Sequence, residues 1–194
     1  MKNILYIHGL SSSGRSATAT TLGQLMPDVR IIAPDLPINP TEALTLLNEI
    51  CQQQQPCLVI GTSMGGMFAQ QLRGFSKILV NPAFHVSEFM RLNIGRQPFL
   101  NQRDDGVQEY EITPTLCDAY LAMEQTQFAN IDQSEMNRTY AVFGSHDPLV
   151  NCKDEYLRHY KNVVDFDGQH RLTFEDVRDV IVLLANKLMG VSKN

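Results

Sequence analysis

The sequence lacks paired cysteines and clusters of metal-ligating side chains. Its 194 residues include four widely spaced cysteines, with no Cys-x-x-Cys pair among Cys51, Cys57, Cys117 and Cys152. A chain of this length can bury a core without cross-links, so free thiols are expected rather than a disulfide framework. No group of His, Cys and Asp has the spacing of a zinc site. We therefore predict no structural disulfide and no bound metal.

Long apolar runs and an excess of positive charge are also missing. The first apolar run, residues 4–7, is too short for a signal-peptide core or a membrane span. The content of hydrophobic residues is 43% and that of charged residues 19%, as in ordinary globular domains. A formal net charge of −5 argues against a nucleic acid or an anionic membrane as partner. We expect a cytoplasmic protein, and its oligomeric state is left open.

Short apolar runs alternate with helical patterns along most of the chain. Six runs are predicted to be strands, ending at Ile7, Ala33, Ile60, Val80, Phe143 and Phe166. One helix is predicted to begin after Asn39 with Pro40 at its first position, and the last helix opens with a capping box at Thr173. Strands that alternate with helices form a parallel sheet covered on both faces. The pattern predicts a single α/β domain over residues 1–194.

Residues 84–138 break this alternation. We find no convincing strand between Asn81 and Arg138, and residues 98–111 are polar and typical of a loop. Helical patterns cover residues 87–92 and 116–128. Because insertions between strands commonly form lids, we predict a small helical cap within the domain.

Residues 61–66, Gly-Thr-Ser-Met-Gly-Gly, follow an apolar run and precede a helical pattern. A serine with glycines two residues before and after it, between a strand and a helix, has the pattern of a nucleophile elbow. The turn is so tight that larger side chains at the glycine positions would collide with the backbone. The flanking strand and helix distinguish this match from a chance one. Ser63 is the predicted nucleophile.

A serine nucleophile needs a base, and the base needs an orienting acid. With an elbow of this kind the acid and the histidine follow the serine in that order, each after a strand. Asp147 follows the strand that ends at Phe143, and His170 follows the strand that ends at Phe166. The backbone N–H groups of Met64 and Leu10 are the predicted donors of the oxyanion hole.

Other residues compete for these roles. Asp165, Asp167 and, more distantly, Glu88 are alternatives for the acid, but their positions fit less well than that of Asp147. His8 is interpreted as a structural residue under the elbow. His85 is a candidate substrate contact at the entrance of the cap, although this is the less favoured interpretation of that residue.

Three arginines of the cap region, Arg91, Arg96 and Arg103, are typical of a solvated face. A second hypothesis is that they attract an anionic substrate, with Arg96 as the candidate binding residue. Either interpretation leaves the catalytic prediction unchanged.

The chain resembles the α/β-hydrolase superfamily in His8-Gly9, the Ser63 elbow, and the Asp147 and His170 loops. More narrowly it resembles the small bacterial YqiA-like esterases, through its length, the Gly-Gly doublet of residues 65–66 and the Val-Asn-Pro-Ala of residues 80–83. This resemblance implies a compact α/β-hydrolase fold with about six mainly parallel strands. It also implies esterase activity on short acyl esters or thioesters, without a cofactor.

These observations predict a serine hydrolase that cleaves small carboxylic esters or thioesters through an acyl-enzyme on Ser63. Acyl transfer to an alcohol or an amine would use the same residues and remains an alternative. A non-catalytic ligand-binding protein with this fold is a further alternative. It is disfavoured because every position of the triad and of the oxyanion hole holds a competent residue.

Overall fold

The computed structural model of the protein describes residues 1–190. Its strands are β1 (Lys2–Ile7), β2 (Val29–Ile32), β3 (Leu58–Thr62), β4 (Lys77–Val80), β5 (Gly95–Pro98), β6 (Glu109–Ile112), β7 (Thr139–Gly144) and β8 (Asn162–Phe166). Six of them form a parallel sheet in the order β2-β1-β3-β4-β7-β8. These are the six predicted strands.

The helices connect the strands as a parallel sheet requires. They are α1 (Ala17–Leu25), α2 (Pro40–Gln54), α3 (Met64–Gln71), α4 (Val86–Arg91), α5 (Pro114–Thr126), α6 (Gln133–Arg138), α7 (Lys153–His159), α8 (Phe174–Asp176) and α9 (Val182–Leu188). A π-helical turn, Val177–Ile181, joins α8 to α9. Both predicted caps are present: the Asn39 side chain accepts from Thr41 N, and Thr173 and Asp176 form a capping box.

The hydrophobic core lies in two layers, one on each face of the sheet. Successive residues of a strand point to opposite faces, and β1 shows this clearly. Ile4 and Tyr6 pack with the α1 and C-terminal helix layer, whereas Leu5 and Ile7 pack with the layer that contains α2 and α3. All four are buried. The predicted α/β fold with helices on both faces is therefore confirmed.

The prediction that no strand lies between Asn81 and Arg138 is wrong. β5 and β6 form an antiparallel hairpin in which Gly95 pairs with Ile112 and Pro98 pairs with Glu109. β6 alternates as a half-buried strand should, with Tyr110 and Ile112 buried and the two glutamates exposed. β5 has no apolar residue that would identify it from its sequence.

Between β4 and β7 the structure also contains α4, α5 and α6. The first two overlap the helical patterns predicted over residues 87–92 and 116–128, and each begins and ends one or two residues earlier. Across residues 1–190, none of the helices has the length and apolar character that crossing a membrane requires.

Candidate active site

Ser63 occupies a strained turn between β3 and α3. Its backbone has φ +55° and ψ −121°, a region that residues with a side chain seldom adopt. Its N–H donates to Val80 O at 2.9 Å, and its carbonyl oxygen accepts from Gly66 N at 2.8 Å and from Ala83 N at 3.1 Å. These bonds hold the strained turn against the end of β4. The Ser63 side chain remains half-exposed at the carboxyl edge of the sheet.

Close backbone approaches explain the two glycines that flank Ser63. A Cβ on Gly61 would lie 2.2 Å from Gly65 O, and one on Gly65 would lie 2.1 Å from Ile7 O. Neither neighbour is a flexible side chain, so any larger residue would force β1, β3 and α3 apart. The local geometry is that of the nucleophile elbow predicted from the sequence.

Asp147 and His170 lie at the same edge of the sheet and contact each other. The Nδ1 atom of His170 is 2.7 Å from Asp147 Oδ2. The other carboxylate oxygen of Asp147 accepts from Leu149 N at 2.8 Å and from Val150 N at 3.0 Å. The Asp147 side chain is 5% exposed and that of His170 is 14% exposed. Because Nδ1 is engaged by the acid, Nε2 is the ring nitrogen left to face a substrate or a nucleophile.

The loop after β1 lies directly beside the elbow. A Cβ on Gly9 would be 3.2 Å from Ser63 Cβ and 3.7 Å from Ser63 Oγ. Leu10 follows in the chain and is half-buried. Met64 is the first residue of α3, where N–H groups have no acceptor within the helix. The two predicted oxyanion donors therefore belong to segments that flank Ser63 on either side.

The β5–β6 hairpin is tied to this loop by several hydrogen bonds. Tyr110 and Ser11 hydroxyls lie 2.6 Å apart, and Leu100 N donates to Ser11 O at 2.7 Å. Two further serines of the loop donate from Oγ, Ser12 to the Asn101 side chain at 2.9 Å and Ser13 to Gln102 O at 2.8 Å. The loop after β1, which carries the predicted donor Leu10 and is called the oxyanion loop, is thus held from outside by the inserted region.

Asp35, in the segment after β2, ties the oxyanion loop and the hairpin to that segment. Its carboxylate accepts from Gly14 N at 2.8 Å and from Asp104 N at 2.6 Å. Arg103 is 8% exposed, and its guanidinium donates to Leu36 O at 3.2 Å while it lies over the Phe99 ring at 4.4 Å from the ring centroid. These contacts fasten three segments to one another.

His8 is buried under the oxyanion loop, as the sequence predicts for a structural residue. Its Nδ1 lies 2.8 Å from Gly9 O, and its Nε2 accepts from Leu36 N at 3.2 Å. The carbonyl needs a proton on Nδ1 and the amide needs a lone pair on Nε2, so this environment selects the neutral ring. Burial lowers the pKa of His8, which favours the same neutral form.

Comparison with known proteins identifies the chain at the level of family. The model of the family described as Uncharacterised protein family (UPF0227), a YqiA-like family, matches residues 3–185. The chain belongs to this family. The predicted resemblance is confirmed, and the matched segment includes Ser63, Asp147 and His170.

Several solved structures have a similar fold, and those of a lipase and a thioesterase domain are among them. Est1E from Butyrivibrio proteoclasticus is 16% identical, with 97% of this chain and 88% of that chain covered at a TM-score of 0.69. A monoacylglycerol lipase from Paleococcus ferrophilus is 13% identical, with 98% and 95% covered at a TM-score of 0.65. The thioesterase domain from the curacin biosynthetic pathway is 16% identical, with 97% and 91% covered at 0.58. This UPF0227 protein therefore has the α/β-hydrolase fold.

The competing acids have other partners in this UPF0227 chain. Asp165 accepts from Lys153 Nζ at 2.6 and 2.7 Å, and Asp167 lies 2.8 Å from His146 Nε2. Glu88 is exposed on α4. His170 therefore contacts Asp147, and it contacts neither Asp165 nor Asp167.

The two candidate substrate contacts lie in different surroundings. His85 Nε2 is 2.6 Å from Glu155 Oε2 on α7. Arg96 is exposed on β5, opposite Glu111 in the hairpin. Arg91 pairs with Asp118 at 2.6 Å and Arg103 with Asp105 at 2.7 Å. Two of the three cap arginines therefore already have acidic partners.

Sequence reasoning missed three residues that organise the site: Asn81, Asp35 and Tyr110. The sequence analysis assigns no role to Asn81, although an asparagine between a buried strand and a proline is a recognisable signal for a special turn. An aspartate beside Pro34 is typical of a plain turn, so the sequence gives no reason to single out Asp35. Only the Glu-Tyr-Glu-Ile alternation of β6 could have indicated Tyr110.

The structure also bears on metals and cysteines. Over the described part of the chain, no group of three or more His, Cys, Asp or Glu side chains could hold a metal ion. All four cysteines are free thiols.

Proposed function

We propose that this protein is a serine hydrolase that cleaves small carboxylic esters or thioesters through an acyl-enzyme on Ser63. The observation that carries the proposal is the Asp147–His170 hydrogen bond of 2.7 Å at the sheet edge where the strained Ser63 turn stands. Family membership and the ester chemistry of the structural neighbours support it. A binding protein would need neither the strained backbone nor the paired acid and base.

In the proposed first half-reaction, Ser63 Oγ attacks the acyl carbonyl carbon while Nε2 of His170 takes the hydroxyl proton. Asp147 keeps the other ring nitrogen protonated and stabilises the charge that develops on the ring. The tetrahedral oxyanion accepts hydrogen bonds from Leu10 N–H and Met64 N–H. Collapse of this intermediate breaks the bond to the leaving alcohol or thiol, which receives its proton from His170.

In the second half-reaction a water molecule replaces the leaving group. His170 removes a proton from the water as its oxygen attacks the acyl-enzyme, and the same two N–H groups bind the second oxyanion. Cleavage of the Ser63 ester then releases the carboxylic acid, and His170 returns the proton to Ser63 Oγ. No step of this proposed reaction requires a cofactor.

We further propose that residues 84–138 act as a cap whose hairpin sets the shape of the site next to the oxyanion loop. Its support is the set of hydrogen bonds from the hairpin to Ser11, Ser12 and Ser13. His85 and Arg96 stay predictions as substrate contacts. Esters and matched thioesters of graded acyl length would define the substrate class.

Removal of the nucleophile tests the proposal directly. Ser63→Ala should abolish labelling by a fluorophosphonate probe and reduce ester turnover by about 10⁶-fold, because no group remains to form the acyl-enzyme. The measurements are mass spectrometry of the labelled peptide and the kcat for a chromogenic ester. Ser134→Ala is the control, since Ser134 is exposed on α6 and pairs with Arg138 away from the site. Unchanged turnover in Ser63→Ala would exclude the proposed mechanism.

A further inference from the structure

Asn81 lies between the segments that hold Ser63. It follows β4 and has a positive φ of +43°. The preceding residue, Val80, accepts the hydrogen bond from Ser63 N at 2.9 Å. Two residues after Asn81, Ala83 N donates to Ser63 O at 3.1 Å. The backbone around Asn81 is therefore fixed relative to the predicted nucleophile.

The side chain of Asn81 contacts the two loops that carry the predicted acid and base. Its Oδ1 accepts from Gly144 N at 2.8 Å, at the end of β7. Its Nδ2 donates to Gln169 O at 3.0 Å and to His170 O at 3.2 Å. Asn81 itself is only 2% exposed, and the three hydrogen bonds are partly buried. One amide thus connects the β4, β7 and β8 ends of the sheet.

We propose that Asn81 is a positioning residue that fixes the backbone of His170, and the start of the Asp147 loop, relative to Ser63. This inference rests on the proposed function of Ser63. Asn81 holds only the backbone of His170. It therefore acts through His170 and does not touch substrate.

The hydrogen-bonding groups of the Asn81 amide distinguish a positioning role from a simple need for a positive φ at this position. A glycine would adopt the same φ at least as easily, but it has no side chain to bind the loops. The site needs an acceptor for Gly144 N–H and a donor for two carbonyl oxygens at the same time. Asparagine supplies both, whereas a carboxylate supplies acceptors only and would repel the carbonyls of Gln169 and His170.

Two substitutions test the proposal. Asn81→Gly keeps the backbone conformation and removes every side-chain bond, and Asn81→Asp keeps the acceptor and removes the donor. Both should lower kcat by about 10²-fold with little change in KM, because misplacement of a catalytic group by about 1 Å has an effect of that size.

Asn162→Asp is the matched control. The Asn162 amide donates to Met136 O, Asn137 O and Thr139 O at 3.1 to 3.2 Å, at the opposite end of β7 and β8. The same chemical change there should lower Tm but leave kcat close to that of the wild type. Equal effects of Asn81→Asp and Asn162→Asp on kcat would overturn the proposal, since they would report only a loss of stability.

A second readout does not depend on ester turnover. The proton between His170 Nδ1 and Asp147 should give a low-field proton NMR resonance in the substrate-free protein, assigned by its loss in Asp147→Asn. It should be lost or broadened in Asn81→Gly and retained in Asn162→Asp. An unchanged resonance and kcat in Asn81→Gly, or no such resonance in the wild type, would contradict the role of Asn81. If the wild type did not cleave esters, the function proposed for Ser63 would fail while the resonance still decided the role of Asn81.

Discussion

The two halves of the candidate site are held in place by different parts of the molecule. In the acid–base half, Asp147 and His170 are fixed by bonds that come from the ends of the parallel strands and from Asn81 between them. In the oxyanion half, the loop after Gly9 is fixed by a hairpin that belongs to the region between β4 and β7. One half depends on the sheet, and the other depends on an insertion.

This difference indicates which changes each half can tolerate. Strand ends in the sheet move little because each strand is hydrogen-bonded to a neighbour, and the central strands β3, β4 and β7 are also largely buried. A hairpin joined by four cross-strand residue pairs is a weaker support than a six-stranded sheet. We therefore expect substitutions in the acid–base half to lower kcat strongly, and substitutions in the hairpin to lower it modestly.

Removal of the predicted acid should lower kcat more than any change in the hairpin does. Asp147→Asn preserves the size of the side chain but cannot stabilise the charged ring or select its tautomer, and kcat should fall by about 10⁴-fold. Steady-state kinetics with a chromogenic ester measures this.

The structure offers a closely matched control for that substitution. Asp167 forms a similar contact of 2.8 Å with His146, but that pair is exposed. Asp167→Asn should leave kcat within about twofold, because exposed ion pairs contribute little. If Asp167→Asn proved as damaging as Asp147→Asn, the acid would have to be reassigned.

The acid–base half could be predicted from sequence because its signals are local. The glycine pattern around Ser63, the strand before Asp147 and the strand before His170 each occupy a few consecutive residues. Parallel topology then brings strand ends to one edge, so chain order alone suffices to place Ser63, Asp147 and His170 at that edge. The same reasoning correctly predicts all six strands of the sheet.

The contacts that hold the oxyanion half could not be predicted, although its donors Leu10 and Met64 were, because these contacts are long-range and polar. Ser11 and Tyr110 are 99 positions apart, and Ser13 and Gln102 are 89 apart. Serine and asparagine side chains at such separations follow no periodic pattern that a sequence window could detect. The hairpin itself was missed for a related reason: half of it is the apolar-free Gly-Arg-Gln-Pro of β5.

Removal of a single hydroxyl tests how much the hairpin contributes to kcat. Tyr110→Phe removes the hydrogen bond to Ser11 but keeps the buried ring, which packs against Phe99. One net hydrogen bond is worth about 0.5–1.5 kcal/mol, so we expect kcat to fall by about two- to tenfold. KM for a small neutral ester should change less, because the bond positions the oxyanion loop and not the substrate.

Tyr160→Phe is the control for this measurement. The Tyr160 hydroxyl donates to Gln70 Oε1 at 3.0 Å in the core layer, away from the oxyanion loop. This variant should lose stability and keep its kcat. A drop in kcat for Tyr160→Phe that matched the drop for Tyr110→Phe would show that both report on the fold alone.

The smallest expected effect is a pH dependence of stability that originates under the oxyanion loop. Burial holds the pKa of His8 below its ordinary value of 6.5, and protonation would set an Nε2–H against Leu36 N–H. The unfolded chain binds a proton at this site more readily than the native protein does. The free energy of unfolding should therefore fall as pH decreases below about 6.5, by at most about 1.4 kcal/mol per pH unit for one proton.

His8→Gln separates this contribution from that of all other groups. An amide does not titrate, so the decrease in Tm between about pH 7 and about pH 5 should be smaller in His8→Gln than in the wild type. His146→Gln makes the same substitution at an exposed histidine of the acid–base half and is the matched control. Because Asp35 and Arg103 influence His8 in opposite directions, their charges should not reverse the sign set by burial. An equal slope in His8→Gln and the wild type would mean that the oxyanion half tolerates a charged His8, and that its loop is held less tightly than the hydrogen bonds to the hairpin indicate.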